Sequence, residues 1–151
     1  MATTEYSDFY NADGTVKFSK AGNVIGGTLT IGTALTIGST AYMLRLPKGF
    51  KAWSGHMVGS DLDTGTEALE LDVGIVGSTA LFLNSGVITG DAILDLKPTV
   101  GIYYPLFAGG SVLPYSATAD TDVIITVTAA AEAGGTGQLS LYFVGEYNPP
   151  A

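Results

Sequence analysis

Hydrophobic and polar positions alternate residue by residue over much of this chain, the pattern of strands with one buried and one exposed face. Thr28-Leu29-Thr30-Ile31 alternates, pauses at Gly32, and resumes as Ala34-Leu35-Thr36-Ile37 before Gly38. A further strand is predicted over 42–46, ending at Pro47, with Lys48-Gly49 completing a turn. Over 51–60 strict alternation puts Trp53, Gly55, Met57 and Gly59 on one face, with Ala52, Ser54, His56 and Val58 on the other. The cleanest run is 67–76, where Leu69, Leu71, Val73 and Ile75 share the core face. Glu70, Asp72 and Gly74 then face outward, toward water or a partner.

Residues 79–84 read as a short helical turn between strands. Later strands are expected over 101–106, 112–116, 122–129 and 138–147, with Gly134-Gly135-Thr136-Gly137 as a hairpin connection between the last two. About eight or nine short strands, without a long amphipathic helix or a fixed repeat, predict an all-β chain. The expected architecture is a single-domain β-sandwich or jelly roll over 27–151, preceded by an extended N-terminal arm over 1–26.

The arm lacks periodicity but carries Tyr6, Phe9 and Tyr10, followed by a turn at Asn11-Ala12-Asp13-Gly14. Burying a large apolar side chain is worth roughly 1.5–3 kcal/mol, so three aromatics this close together predict an arm that packs against something.

Composition sharpens the class. Hydrophobic residues make up 46% of the 151 and charged ones only 13%, the reverse of a disordered chain. No stretch approaches the roughly 18 unbroken apolar residues of a membrane helix, so no membrane partner is expected. The first ten residues include Glu5 and Asp8 and lack a basic segment followed by an apolar one, so no secretory signal is expected there. Cysteine is absent, which removes disulfides and thiolate metal sites.

The net charge of −8 is polarised. Residues 1–51 carry +2, with Lys17, Lys20, Arg45, Lys48 and Lys51, whereas residues 52–151 carry −10 and Lys97 alone. Displacing counterions from a phosphate backbone takes several cations on one face, so nucleic acid is not an expected partner. A net-positive N-terminal third and an acidic remainder fit contact between neighbouring subunits instead.

Candidate chemistry is sparse. His56 is the single histidine, with no Gly-x-Ser-x-Gly elbow in the chain, and it reads as a side chain filling a sheet face. Asp61-x-Asp63-x-Gly65-x-Glu67 offers oxygen ligands on alternate residues but lacks the ligand count of a calcium loop, and Asp-rich turns commonly join strands. The segment from Ala21 to Gly27 lacks the Lys and following helix of a phosphate loop. Trp53, Tyr103 and Tyr104 are candidates for stacking on a sugar, the reading that would make this a carbohydrate-binding module. No catalytic residue, metal or cofactor is expected.

The stretch Leu44-Arg45-Leu46-Pro47-Lys48-Gly49-Phe50, then Ser54-Gly55-His56-Met57, Ser60-Asp61-Leu62-Asp63-Thr64-Gly65 and Leu71-Asp72-Val73-Gly74-Ile75, resembles small structural proteins of tailed bacteriophage particles. It is most similar to head decoration, or cement, proteins, over roughly residues 40–95, although the chain departs from the small lambda-type members in length and general pattern. The resemblance implies a non-enzymatic subunit on the capsid exterior of a virion assembled in the host cytoplasm. Its implied partners are the major capsid protein and copies of itself, as a homotrimer, and its implied action is stabilising the shell by bridging capsid subunits. Tyr6, Phe9 and Tyr10, with Lys17 and Lys20 as steering charges, are then the expected partner-binding residues. A tail, fibre or head-spike subunit is the neighbouring alternative.

Overall fold

Apolar residues every second position need a second layer to cover them, and two sheets supply it in the computed structural model. The structure describes residues 1–10, 14, 23–60, 62–66, 68–87, 93–95 and 115–148, and among these it is all-β, with no helix. The strands are β1 (Thr4–Tyr6), β2 (Val24–Ile31), β3 (Thr40–Leu46), β4 (Phe50–Gly59) and β5 (Glu70–Ile75). They continue with β6 (Ser78–Val87), β7 (Ile93–Asp95), β8 (Tyr115–Ser116), β9 (Thr121–Ala129) and β10 (Gly137–Tyr147).

The first sheet runs β1-β3-β9-β5-β6, and the second runs β2-β10-β4-β7, with β8 also paired to β4. Between them lies one core, in which Leu44, Leu46, Phe50, Met57, Leu71, Val123, Leu141 and Phe143 are sealed from solvent. Among the described residues, no helix is long and apolar enough to cross a membrane.

Several expectations change once the strands are paired. Residues 34–37 are not a strand; β2 ends at Ile31 and the chain loops to β3. Residues 79–84 are not helical but lie within β6, which pairs with β5 and places Phe82 edge-on to Phe143, 5.2 Å away in the facing sheet. The Gly-rich segment at 134–137 is not a hairpin turn. It carries the chain from β9 in the first sheet to β10 in the second. The region 101–106 lies outside the described residues.

On β4, strict alternation fails because the register with β10 skips Trp53: Val144 pairs with Ser54 and Gly145 with Ala52. The extra residue reverses the facing beyond it, as a bulge does. Ala52 and Met57 therefore both point into the core, whereas Trp53 is exposed. On β5 the core face is as expected, but Asp72 on the opposite face is only 8% exposed and so does not meet open water.

Candidate interaction surfaces

The expected arm is described at 1–10, 14 and 23–26, and its first ten residues lie against the sandwich. Beside β3, β1 forms the single parallel pairing among the described strands, matching Thr4, Glu5 and Tyr6 to Thr40, Ala41 and Tyr42. The next two residues then reach both sheets. The Ser7 amide donates to the Tyr42 carbonyl in β3 (2.9 Å), and the Asp8 amide donates to the Thr28 carbonyl in β2 (2.8 Å). The Asp8 carboxylate accepts from the Thr28 amide in return (2.6 Å). The Ser7 hydroxyl donates to the Met43 carbonyl. The two sheets approach so closely here that a side chain at Gly27 would run into the Met43 carbonyl and the Ser7 hydroxyl.

Two of the three aromatics of this segment are spent within the chain. Phe9 and Tyr10 are buried and belong to the core, while Tyr6 keeps 37% of its surface exposed and stacks on Tyr42 at 5.2 Å. The Tyr10 hydroxyl donates to Asp122 Oδ1 (2.8 Å), and the Arg45 guanidinium grips the same carboxylate with Nε on Oδ1 (2.7 Å) and Nη2 on Oδ2 (3.0 Å). Burial, and then the hydrogen bond to Asp122, hold the Tyr10 hydroxyl protonated far above the usual tyrosine range. The hydrogen bond to Asp122 raises Arg45 as well. Lys17 and Lys20, the expected steering charges, lie outside the described residues.

The acidic turn also has an internal use. Asp63 is 3% exposed, and its carboxylate accepts from five backbone amides: Gly65, Glu132 and Ala133 on Oδ1, Ala68 and Leu69 on Oδ2. Those donors, led by Ala68, hold its pKa down at about 2 against the opposing effect of burial. Oxygens surrounded by N–H groups meet positive dipoles, which is the wrong environment for a calcium ion. Asp63 instead ties the β4–β5 connection to the β9–β10 connection, and the Thr64 amide adds a bond to the Ala133 carbonyl (3.0 Å). Asp61 and Glu67 lie outside the described residues, and among the described ones no cluster of metal-ligating side chains forms.

His56 sits on the outer face of the second sheet, opposite Tyr142, with the two rings stacked 5.2 Å apart. Its cross-strand partner on the other side is Asp95 of β7. Trp53 is exposed, but the Lys51 ammonium lies 4.4 Å from its ring centroid and covers one face of the indole. Tyr103 and Tyr104 lie outside the described residues.

A surface that the strand pattern did not single out is the outer face of this second sheet. Cross-strand register arranges it in rows. Val24 and Val144 form one row beside the exposed bulge at Trp53. Tyr142, lying over Gly26 where a Cβ would strike its ring, and His56 form the next. Thr28 and Ser140, joined through their hydroxyls at 2.8 Å, and Val58 form a third. The signal for this face was present in β10, where Tyr142 and Val144 alternate with Leu141 and Phe143, leaving large apolar groups on both sides.

The architecture defines an all-β sandwich protein, and comparison with known proteins narrows the context in which such a chain is found. Neither a family model nor a curated protein matches the sequence. In the cyanophage Pam1 capsid asymmetric unit, one solved chain is similar at a TM-score of 0.65 and 21% identity, over 94% of this chain and 99% of that one. In the capsid of Ralstonia phage GP4, another is similar at a TM-score of 0.62 and 19% identity, over 97% of this chain and 99% of that one. Both likenesses are of fold, and both extend over nearly the whole of each chain.

Proposed function

We propose that this chain is a non-enzymatic structural protein of a phage virion, a decoration or cement subunit that binds the outer surface of the head and bridges capsid subunits. The observation that carries this reading is the near end-to-end match of fold with chains of two phage capsids. Support also comes from the fate of the candidate chemistry. His56 is stacked on Tyr142, and Asp63 is committed to backbone amides. Contact with the major capsid protein runs through the exposed edge of Tyr6 together with Lys17 and Lys20. Phe9 and Tyr10 act indirectly, anchoring that segment to the sandwich.

The test is occupancy on particles. Purified protein is mixed with phage heads that lack it, and the heads are sedimented and heated. Saturable co-sedimentation, with heads that release DNA at a higher temperature, is the expected result. Protein that stays in the supernatant at every concentration rejects the reading.

A further inference from the structure

We propose that the outer face of the second sheet binds an uncharged oligosaccharide, with the stacked rings of Tyr142 and His56 as its platform. This activity goes beyond the structural role proposed above and does not rest on it.

The platform begins at a missing side chain. Register aligns Gly26, Tyr142, His56 and Asp95 in one row across β2, β10, β4 and β7. With no Cβ at Gly26, the Tyr142 ring leans across β2 into the space a side chain would fill. It therefore lies over the sheet, where strand side chains usually stand away from it. The His56 ring stacks with it at 5.2 Å and 29°, and both residues stay half-buried, with surface left to meet a ligand.

Hydrogen-bonding groups without charge border this row. On one side Thr28 and Ser140 are joined at 2.8 Å, with Thr30 and Gln138 exposed beyond them. On the other side Ser54 is exposed, in register with Val144. Asp95 brings a carboxylate to the end of the row by its register position. A sugar ring needs both features together, an aromatic surface for its C–H face and polar groups around it for its hydroxyls.

Charge selects the occupant. The outward positions of β2, of β10 up to Val144, and of β4 from Ser54 to Val58 hold no carboxylate, lysine or arginine. Asp95 adds one negative charge beside them, and at the margin Lys51 and Glu146 are cross-strand partners of opposite sign. A polyanion meets no cluster of cations here, on a chain of net −8. A strongly basic partner finds a single carboxylate. A protein partner calls for a continuous apolar centre, whereas the Tyr142–His56 row separates Val24 and Val144 from Val58. An uncharged chain of hydroxyl-bearing rings matches what remains. Stacking already orders Tyr142 and His56, which lowers the entropy lost on contact.

The test is calorimetric titration of the full chain with uncharged hexasaccharides of glucose, N-acetylglucosamine, mannose, galactose and rhamnose. Taking each to about 10 mM reaches the range of weak association. Saturable binding of at least one, with Kd below about 1 mM, is expected. Emission from Trp53, the single tryptophan and a neighbour of Ser54, should change in step. A galacturonate hexasaccharide should not bind, because its carboxylates meet an acidic chain.

Tyr142→Ala should weaken binding at least about tenfold, whereas Tyr142→Phe, which keeps the ring, should retain most of it. Gly26→Ala displaces the same ring and should also weaken binding. Val76→Ala, in the exposed β5–β6 turn, should leave it unchanged. Unaltered circular dichroism keeps the comparison clean.

A wild-type chain that gives neither heat nor an emission change with any uncharged hexasaccharide overturns the assignment. So does galacturonate bound as tightly as the uncharged chains, or folded Tyr142→Ala and Gly26→Ala proteins that bind like wild type. Protein that sediments with heads but binds no sugar rejects this face and leaves the structural role standing. Sugar binding by protein that ignores heads does the reverse.

Discussion

Arg45 and Asp122 face each other across β3 and β9, in register and joined by two hydrogen bonds, and the Tyr10 hydroxyl closes on the same carboxylate. A residue from the tenth position of the chain is thereby bound to one far along it, in a different strand. The N-terminal segment is held by this contact, by β1 and by the Ser7 and Asp8 bonds, so it forms part of the sandwich.

Tyr10→Phe keeps the ring and removes only the hydroxyl. Hydrogen bonds to a charged group contribute roughly 1.5–3 kcal/mol, and a loss of about that size is expected in urea unfolding. Combined with Asp122→Ala in a double-mutant cycle, the two effects should fall short of additivity, because they remove one shared contact.

Alkali should unfold the protein through the same residue. With its folded pKa raised, Tyr10 releases its proton more readily from the unfolded chain, whose tyrosines titrate near about 10. Its contribution is full below that pH and declines as pH climbs toward the folded value. Unfolding midpoints measured above about pH 10 should fall more steeply for wild type than for Tyr10→Phe.

Asp63 gives the opposite sign. Its pKa is held at about 2, so it stabilises above the unfolded value of about 3.9 and loses that contribution as pH drops through the folded one. Asp63→Asn leaves one good acceptor where two oxygens served five amides, and should lower the melting temperature at neutral pH by at least about 5 °C. Its acid unfolding curve between about pH 4 and pH 2 should be flatter than that of wild type.

Deleting residues 1–10 is expected to destabilise the fold severely, because it empties the sites of Phe9 and Tyr10. Losing one buried large aromatic alone costs about 3–5 kcal/mol. Thermal melting of the truncated chain checks this. Loss of head binding by that variant would therefore report unfolding as much as a lost contact, and Tyr6→Ala is the cleaner probe. Its partly exposed, stacked ring should cost about 1.5–3 kcal/mol of stability, less than emptying the sites of Phe9 and Tyr10 together, while occupancy on heads drops.

Much of the fold was legible from local pattern. The alternation of Leu69, Leu71, Val73 and Ile75, and of Leu139, Leu141 and Phe143, determined the strands, their inward faces and the all-β class, because a two-residue period is written directly into side-chain order. Pairing is not local, and there the pattern was silent. Only the tertiary structure decided that residues 79–84 extend a strand, that the bulge at Trp53 turns Met57 inward, and that the Gly134 segment changes sheets. The same limit applied to the sites. Aromatic content showed that Tyr6, Phe9 and Tyr10 would seek cover, but the cover for Phe9 and Tyr10 is their own domain, through an aspartate in β9 that no spacing rule connects to them. Acidic spacing drew attention to Asp63, yet whether its oxygens meet a cation or a cluster of amides depends on a loop nearly seventy residues away, brought alongside only when the two sheets close on one core.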